Sequence, residues 1–182
     1  MAKLKPTRKM QFKRRIEGRT DYKGRLKLLK SERPRMVVRK SIKYIRVQIV
    51  NFEEIGDKTV VAVGSDMLAG MGWKFACSST PAAYLTGLMA GNAAKSKKIK
   101  DVVLDTGLYP SVKGSKLYAV VKGAIDAGLA VPCDKSMLPS DERIKGEHIA
   151  KHNEKFKDMP KEFEKMKEKI LAGKTNKGEK SG

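Results

Sequence analysis

"VVRKSIKYIRVQIV", residues 37–50, is the stretch on which the fold turns. Its Val, Ile and Tyr residues suit the pleated, half-buried surface of a sheet. Ile45, Val47 and Ile49 alternate with Tyr44, Arg46 and Gln48, so a strand here buries one face and leaves the other open. Between the two apolar runs lie Arg39, Lys40, Ser41, Ile42 and Lys43, a tight turn crowded with like charge. Cations do not enter a core without partners. The turn is therefore expected to point its charge outward.

Working outward, "PRMVVR" precedes this strand and "KTVVAVGSD" follows it, the latter introduced by Gly56 and Asp57. Three runs so close in sequence predict an antiparallel meander. The period then changes. "STPAAYLTGLMAGNAAKSKKIK" predicts a helix with Thr80 as N-cap and Pro81 at the first helical position. Ala83, Gly87, Gly91 and Ala94 share one stripe of it. Interior glycines cost about 1 kcal/mol each relative to alanine, which a close helix–sheet approach would offset. "DVVLDTG" reads as a fourth strand, expected parallel to an earlier one through a right-handed crossover because a helix precedes it. "GSKLYAVVKGAIDAGLAVP" predicts a helix that buries Leu117, Val120, Val121, Ala124 and Ile125 and ends near Gly128.

The flanks differ in kind. "TDYKGRLKLLKSERPR" predicts a short basic helix capped by Thr20 and ending before Pro34. "LPSDERIKGEHIAKHNEKFKD" predicts one helix opened by Ser140. After Met159 and Pro160, "KEFEKMKEKILAG" puts Phe163, Met166 and Ile170 on a narrow stripe that docks on something. The fold class expected is α/β, a mixed sheet of an antiparallel meander plus one parallel crossover strand, packed with helices. It carries a basic N-terminal arm and a helical C-terminal extension. The expected divisions are 1–33 for the arm, 34–133 for the α/β domain, 134–172 for the helical extension and 173–182 for a disordered tail.

Charge narrows the function. The chain of 182 residues carries a formal net charge of +20, where a soluble domain ordinarily carries a magnitude of about 2 to 8. Residues 1–35 hold 14 Lys or Arg against 3 acids, over half of the excess in the first fifth of the chain. So uncompensated an arm calls for a polyanion, and nucleic acid is the expected partner. Cys77 and Cys133 lack metal-ligand or redox spacing and read as reduced thiols. No apolar run reaches the roughly 20 residues of a membrane span, and "MAKLKPTRKMQFKRR" is too basic and interrupted for a secretory leader, so no membrane partner is expected.

Catalytic readings find little footing. His148 and His152 stand four apart, but Ile149 occupies the place where zinc peptidases carry their general base. Asp101, Asp105 and Asp126 are the candidates for a metal-dependent nuclease, the principal alternative, yet Asp101 and Asp105 sit at opposite ends of one strand. "GLYPSVKGSK" lacks the spacing of a P-loop. It reads instead as a polyanion-meeting turn, with Lys113, Ser115 and Lys116 as donors beside a helix start. Tyr22, Tyr44 and Tyr109 are candidates to stack on unpaired bases. No cofactor, metal or small-molecule substrate is called for. A generic nucleic-acid chaperone is the remaining alternative.

"RPRMVVRKSIKYIRVQIV", "TPAAYLTGLMAG" and "DTGLYPSVKGSKLYAVVKGAIDAGLAVP" together resemble the 5S rRNA-binding proteins of the large ribosomal subunit, the universal family numbered eighteen in its archaeal form. "PSDERIKGEHIA" is similar to the archaeal and eukaryotic extension of that family. The chain departs from the pattern at Ile42, where Asn is usual, and in "KFACSS", which is less glycine-rich. The resemblance implies a non-enzymatic protein that binds 5S rRNA, helps attach it to the large rRNA in the central protuberance, and touches neighbouring ribosomal proteins in the cytoplasm. It also implies an arm threading between the two RNAs. The RNA contacts expected are Arg8, Lys9, Lys13, Arg14, Arg15, Arg19, Tyr22 and Arg25 in the arm, and Arg35, Arg39, Lys40, Ser41, Lys43 and Arg46 around the first hairpin. Tyr109, Lys113, Ser115 and Lys116 complete them in the later loop.

Overall fold

A computed structural model describes residues 10–173. Arg8, Lys9 and all but the first residue of the expected tail lie outside the described residues. Four strands form one sheet in the order β3-β2-β1-β4. They are β1 (Arg35–Lys40), β2 (Ile45–Phe52), β3 (Asp57–Gly64) and β4 (Val103–Asp105). β1, β2 and β3 are the antiparallel meander, and β4 lies parallel to β1, with Val37 opposite Asp105. The β2 alternation behaves as its sequence predicts: Ile45, Val47 and Ile49 are buried while Arg46 and Gln48 are exposed. Val50 keeps the face of Gln48 and is buried there, where it lines the cleft that the arm covers.

Behind the sheet lie α4 (Thr80–Ser96) and α5 (Lys116–Asp126). α4 is apolar on almost every side, and 13 of its 17 residues are buried. A helix hydrophobic all round belongs in the interior, and here α4 sits between the sheet and a further helical layer. Complete burial of leucines such as Leu85 and Leu88 contributes about 1.5–3 kcal/mol each. Its cap is Ser79, whose hydroxyl accepts the Ala82 N–H at 3.3 Å, one residue before the expected Thr80. Both residues are competent caps, and Pro81 fits either frame.

The small-residue stripe has a different partner from the one expected. A Cβ on Gly87 would stand 2.0 Å from the Val120 carbonyl oxygen, and one on Gly91 would stand 2.5 Å from the Ala127 methyl. Reciprocally, a Cβ on Gly123 would stand 2.1 Å from the Tyr84 carbonyl oxygen. The glycines therefore bring α4 and α5 together backbone to backbone, and the close approach is helix to helix. Of the face expected for α5, Leu117, Val120, Val121 and Ala124 are buried, while Ile125 lies half-buried at its edge.

The outer layer comprises α6 (Asp141–Lys145), α7 (Glu147–His152) and α8 (Met159–Leu171). Ser140 opens α6 as expected, but the single helix read from the sequence is two, because Gly146 takes φ +79 between them. That left-handed conformation ends an α-helix and is cheap only for glycine. The stripe of α8 docks on the chain itself: Met159, Phe163, Met166 and Ile170 are all buried in the common core. Phe163 lies 5.5 Å from the Tyr84 ring, and the Asn92 side-chain amide donates to the Ile170 carbonyl at 3.1 Å. Between β3 and α4, α3 (Asp66–Gly70) places Leu68 in the core.

In the arm, α1 (Lys13–Ile16) and α2 (Tyr22–Leu29) lie toward the sheet face that the helices leave open. Asp21, not Thr20, caps α2, accepting the Lys23 N–H at 3.0 Å. Thr20 instead accepts from Arg14 Nε at 3.0 Å.

Candidate nucleic-acid interface

The open sheet face is polar because strand alternation makes it so. Arg35, Val37 and Arg39 of β1 stand there beside Gln48 of β2 and Asp105 of β4. Together with the arm they enclose a cleft of about 530 Å³, lined also by Arg14, Arg19, Arg25 and Asp57. Five of the expected RNA contacts are therefore brought to one place. Two aspartates decide what those arginines do.

Asp105 is buried and takes Arg35 Nη1 and Arg39 Nη2, each at 3.0 Å, with the Gly107 N–H at 2.9 Å. Asp57 takes Arg25 Nη2 and Arg35 Nη2, each at 2.7 Å. The chain of contacts runs from Arg25 through Asp57, Arg35 and Asp105 to Arg39, so it ties the arm to three strands. Arg35 is only 3% exposed. Its guanidinium faces these carboxylates, not solvent, and it is a strut of the cleft, unlike the surface contact expected of it. Its Nε has no hydrogen-bond partner, and its Nη2 meets Asp57 as an ion pair without hydrogen-bond alignment. A buried cation is tolerable only with such counter-charge.

Arg39 also departs from the expected geometry, although its side chain stays partly exposed. The hairpin tip was expected to project it, but it bends back, donating from Nη1 to the Asp105 carbonyl at 2.8 Å and the Val38 carbonyl at 2.9 Å. Electrostatics supply the reason. Arg39 pairs directly with Arg46 across β1 and β2, and like charges opposite one another are destabilising. Asp105 relieves that repulsion by neutralising one of them.

The tip is consequently Lys40, Ser41, Ile42 and Lys43, with Tyr44 and Arg46 beside it; all six are exposed. Ser41 locks the turn: its N–H donates to the Tyr44 carbonyl at 2.7 Å, and its Oγ accepts the Tyr44 N–H at 2.9 Å. Lys40, Lys43 and Arg46 have no carboxylate partner among the described residues. Lys40 Nζ instead lies 5.2 Å from the centre of the Tyr109 ring, whose hydroxyl donates to the Lys40 carbonyl at 2.7 Å. Tyr109 thus braces the tip with both its ring and its hydroxyl.

The remaining expected contacts are spread more widely. Lys13, Arg14, Arg15 and Arg19 are exposed, with Glu17 near Lys13 at 3.9 Å and Arg19 at 3.1 Å. The Tyr22 ring is half-buried against Phe12 at 5.2 Å. Lys113 and Lys116 are exposed where the loop meets α5, but the turn is less open than its sequence suggests. The Gly114 N–H donates to the Met137 carbonyl at 2.9 Å and the Ser115 N–H to the Val112 carbonyl at 3.2 Å. Ser115 Oγ is buried without a partner and does not cap α5. Hydrogen bonds from Ser136, with Lys113 adding at longer range, hold the Asp134 carboxyl below the usual carboxylate range.

The three aspartates of the nuclease alternative serve separate purposes. Asp101 pairs with Arg33 at 3.2 Å, Asp105 is saturated within the cleft, and Asp126 accepts the Tyr84 hydroxyl at 2.7 Å. Among the described residues no three His, Cys, Asp or Glu side chains gather as a metal would require. Sequence reasoning missed the structural role of Asp57 and Asp105. An acid on the open face of a strand, opposite a row of arginines, is the signal that could have found them, once the β1–β4 pairing was known.

The family model for ribosomal large subunit proteins 60S L5 and 50S L18 matches residues 7–102. A curated large ribosomal subunit protein, uL18 of Korarchaeum cryptofilum (strain OPF8), is 47% identical over 150 residues, covering 82% of this chain and 77% of that protein. The chain belongs to this ribosomal family. It is a structural protein of the large subunit, not an enzyme, as the resemblance of its central segments implied. The family match takes in the arm from residue 7 and the sheet up to the entry of β4, and so most of the cleft but not Asp105. No helix among the described residues is long and apolar enough to cross a membrane.

Proposed function

We propose that the chain binds 5S rRNA and helps seat it against the large rRNA in the central protuberance, working on the ribosome in the cytoplasm. The observation that carries this reading is the β1–β2 tip. Lys40, Lys43 and Arg46 stand exposed, without carboxylate partners among the described residues, on a turn held rigid by Ser41 and Tyr109. Cations so placed neutralise phosphates, fix register and read no sequence. An A-form duplex hides its base edges in a deep groove, so the preference for 5S rRNA comes from its folded shape and its loops.

The arm extends the contact surface. Arg14 and Arg15 add exposed positive charge, and Arg8 and Lys9 precede them in the sequence. Lys113 and Lys116 add a second cationic point at the start of α5. Arg35 and Arg39 act one step back, by holding the tip and the arm in place through Asp105 and Asp57.

Competition binding tests the reading. Full-length protein on labelled 5S rRNA should be displaced by unlabelled 5S rRNA at least 100-fold more effectively than by an equal mass of bulk RNA. Equal displacement would replace this reading with that of a generic nucleic-acid chaperone.

A further inference from the structure

The β2–β3 hairpin of this cationic chain presents acid and exposed apolar surface together, with no cation within the turn. Its sequence, "NFEEIGD" at 51–57, holds three acids and no cation. The Glu53 and Gly56 N–H groups donate to each other's carbonyls at 3.2 and 3.1 Å, so Glu54 and Ile55 form a closed two-residue tip. Ile55 is completely exposed, and Phe52 is 56% exposed. Asp57 is engaged by Arg25 and Arg35, and Lys58 stands 3.4 Å from Glu53. Glu54 has no cationic partner among the described residues. Beside the tip, Leu29, Glu32, Arg33, Pro34, Asn51 and Phe52 line a groove of about 400 Å³, in which Arg33 already faces Asp101.

We propose that this hairpin is a docking surface for a basic segment of a neighbouring protein, with an apolar side chain of that segment on Phe52 and Ile55 or in the groove. The inference rests on the large-subunit reading, which supplies protein neighbours. Charge complementarity selects the occupant. A nucleic-acid backbone repels Glu53 and Glu54 at ranges within the Debye length of about 8 Å. A Lys- or Arg-rich segment is attracted to them and covers the apolar tip at the same time. The rigid turn presents Ile55 with little ordering cost on binding.

The test uses the full-length chain assembled into large ribosomal subunits, with photo-reactive benzoylphenylalanine placed at Ile55 or, separately, at Ile42. The probe at position 55 should label protein, and mass spectrometry should map the label to a Lys- or Arg-rich segment. Combining it with Glu53→Gln and Glu54→Gln should cut that yield at least fivefold. Labelling of RNA from position 55, labelling of a segment without excess positive charge, or no macromolecular label there would overturn the proposal. The probe at position 42 should label RNA. Its failure to do so counts against the rRNA reading alone, because the protein label at position 55 stands or falls by itself.

Discussion

The two ends of β2 carry hairpins of similar build and opposite charge. At its start, Ser41 and Tyr44 close a turn that exposes Ile42 between Lys40 and Lys43. At its end, Glu53 and Gly56 close a turn that exposes Ile55 beside Glu54. Eight strand residues, about 27 Å at the usual rise per residue, separate them. Both turns are rigid and both offer an isoleucine to solvent, so hydrophobicity does not distinguish them. Charge does. On the proposed readings, one strand is the strut between the RNA-facing end and the protein-facing end.

The largest effect should come from breaking what the two ends share. Asp105→Ala removes the counter-charge of Arg35 and Arg39, and losing one partner of a buried pair costs about 3–5 kcal/mol. Denaturant unfolding should show that loss, and both hairpins should suffer together; a change below about 1 kcal/mol would show that the network does not hold the scaffold. Next comes the cationic end alone. Lys40→Ala, Lys43→Ala and Arg46→Ala combined should weaken 5S rRNA binding about 100-fold near 150 mM salt, at about one phosphate contact each. Glu53→Gln with Glu54→Gln should leave that affinity unchanged within about threefold, or raise it. Equal losses from the two sets would erase the distinction between the ends.

Smaller effects belong to the back layer, which neither end should feel. Burial, and then the hydrogen bond to Asp126, raise the pKa of the Tyr84 phenol. A raised folded pKa stabilises fully below the unfolded value of about 10, and the contribution is lost as pH rises through the folded one. Tyr84→Phe should cost about 1 kcal/mol at neutral pH, flatten the alkaline limb of the stability profile and leave RNA affinity intact. Smallest is Asp141, whose carboxyl the Lys122 ammonium holds below the usual range. Its contribution is present above the unfolded value of about 3.9 and fades as pH falls through the folded one. Unfolding measured from pH 5 to 2 should therefore show a shallower acid loss for Asp141→Asn than for the unaltered chain.

Local patterns and the strand arrangement were legible in the sequence; the side-chain pairings between distant residues were not. The alternation around Ile45, Val47 and Ile49 announced a strand open on one side, and the change of period after Thr80 announced a helix. The glycine stripe announced a close approach, but small residues do not say what approaches, and the partner proved to be α5. Gly146 looked harmless because glycine is read as a break only where it takes a positive φ. The same limit applies to the candidate interface. Total charge pointed to a polyanion, and the turn at 39–43 pointed to where it meets the chain. Which arginines remain available depends on Asp57 and Asp105, which lie tens of residues away from Arg25 and Arg39. No local pattern records such pairings, so Arg35 looked like a surface contact and the engagement of Arg39 by Asp105 was not foreseen.

The most direct test is the salt dependence of 5S rRNA binding, measured side by side for the unaltered chain, the Lys40, Lys43 and Arg46 triple substitution, and the Glu53 and Glu54 double substitution. Phosphate neutralisation predicts a steep linear fall of log affinity with log salt. The slope should be shallower by about 2 to 3 in the triple substitution and unaltered in the double one. One common slope for all three proteins would contradict the assignment of RNA binding to the cationic end of β2.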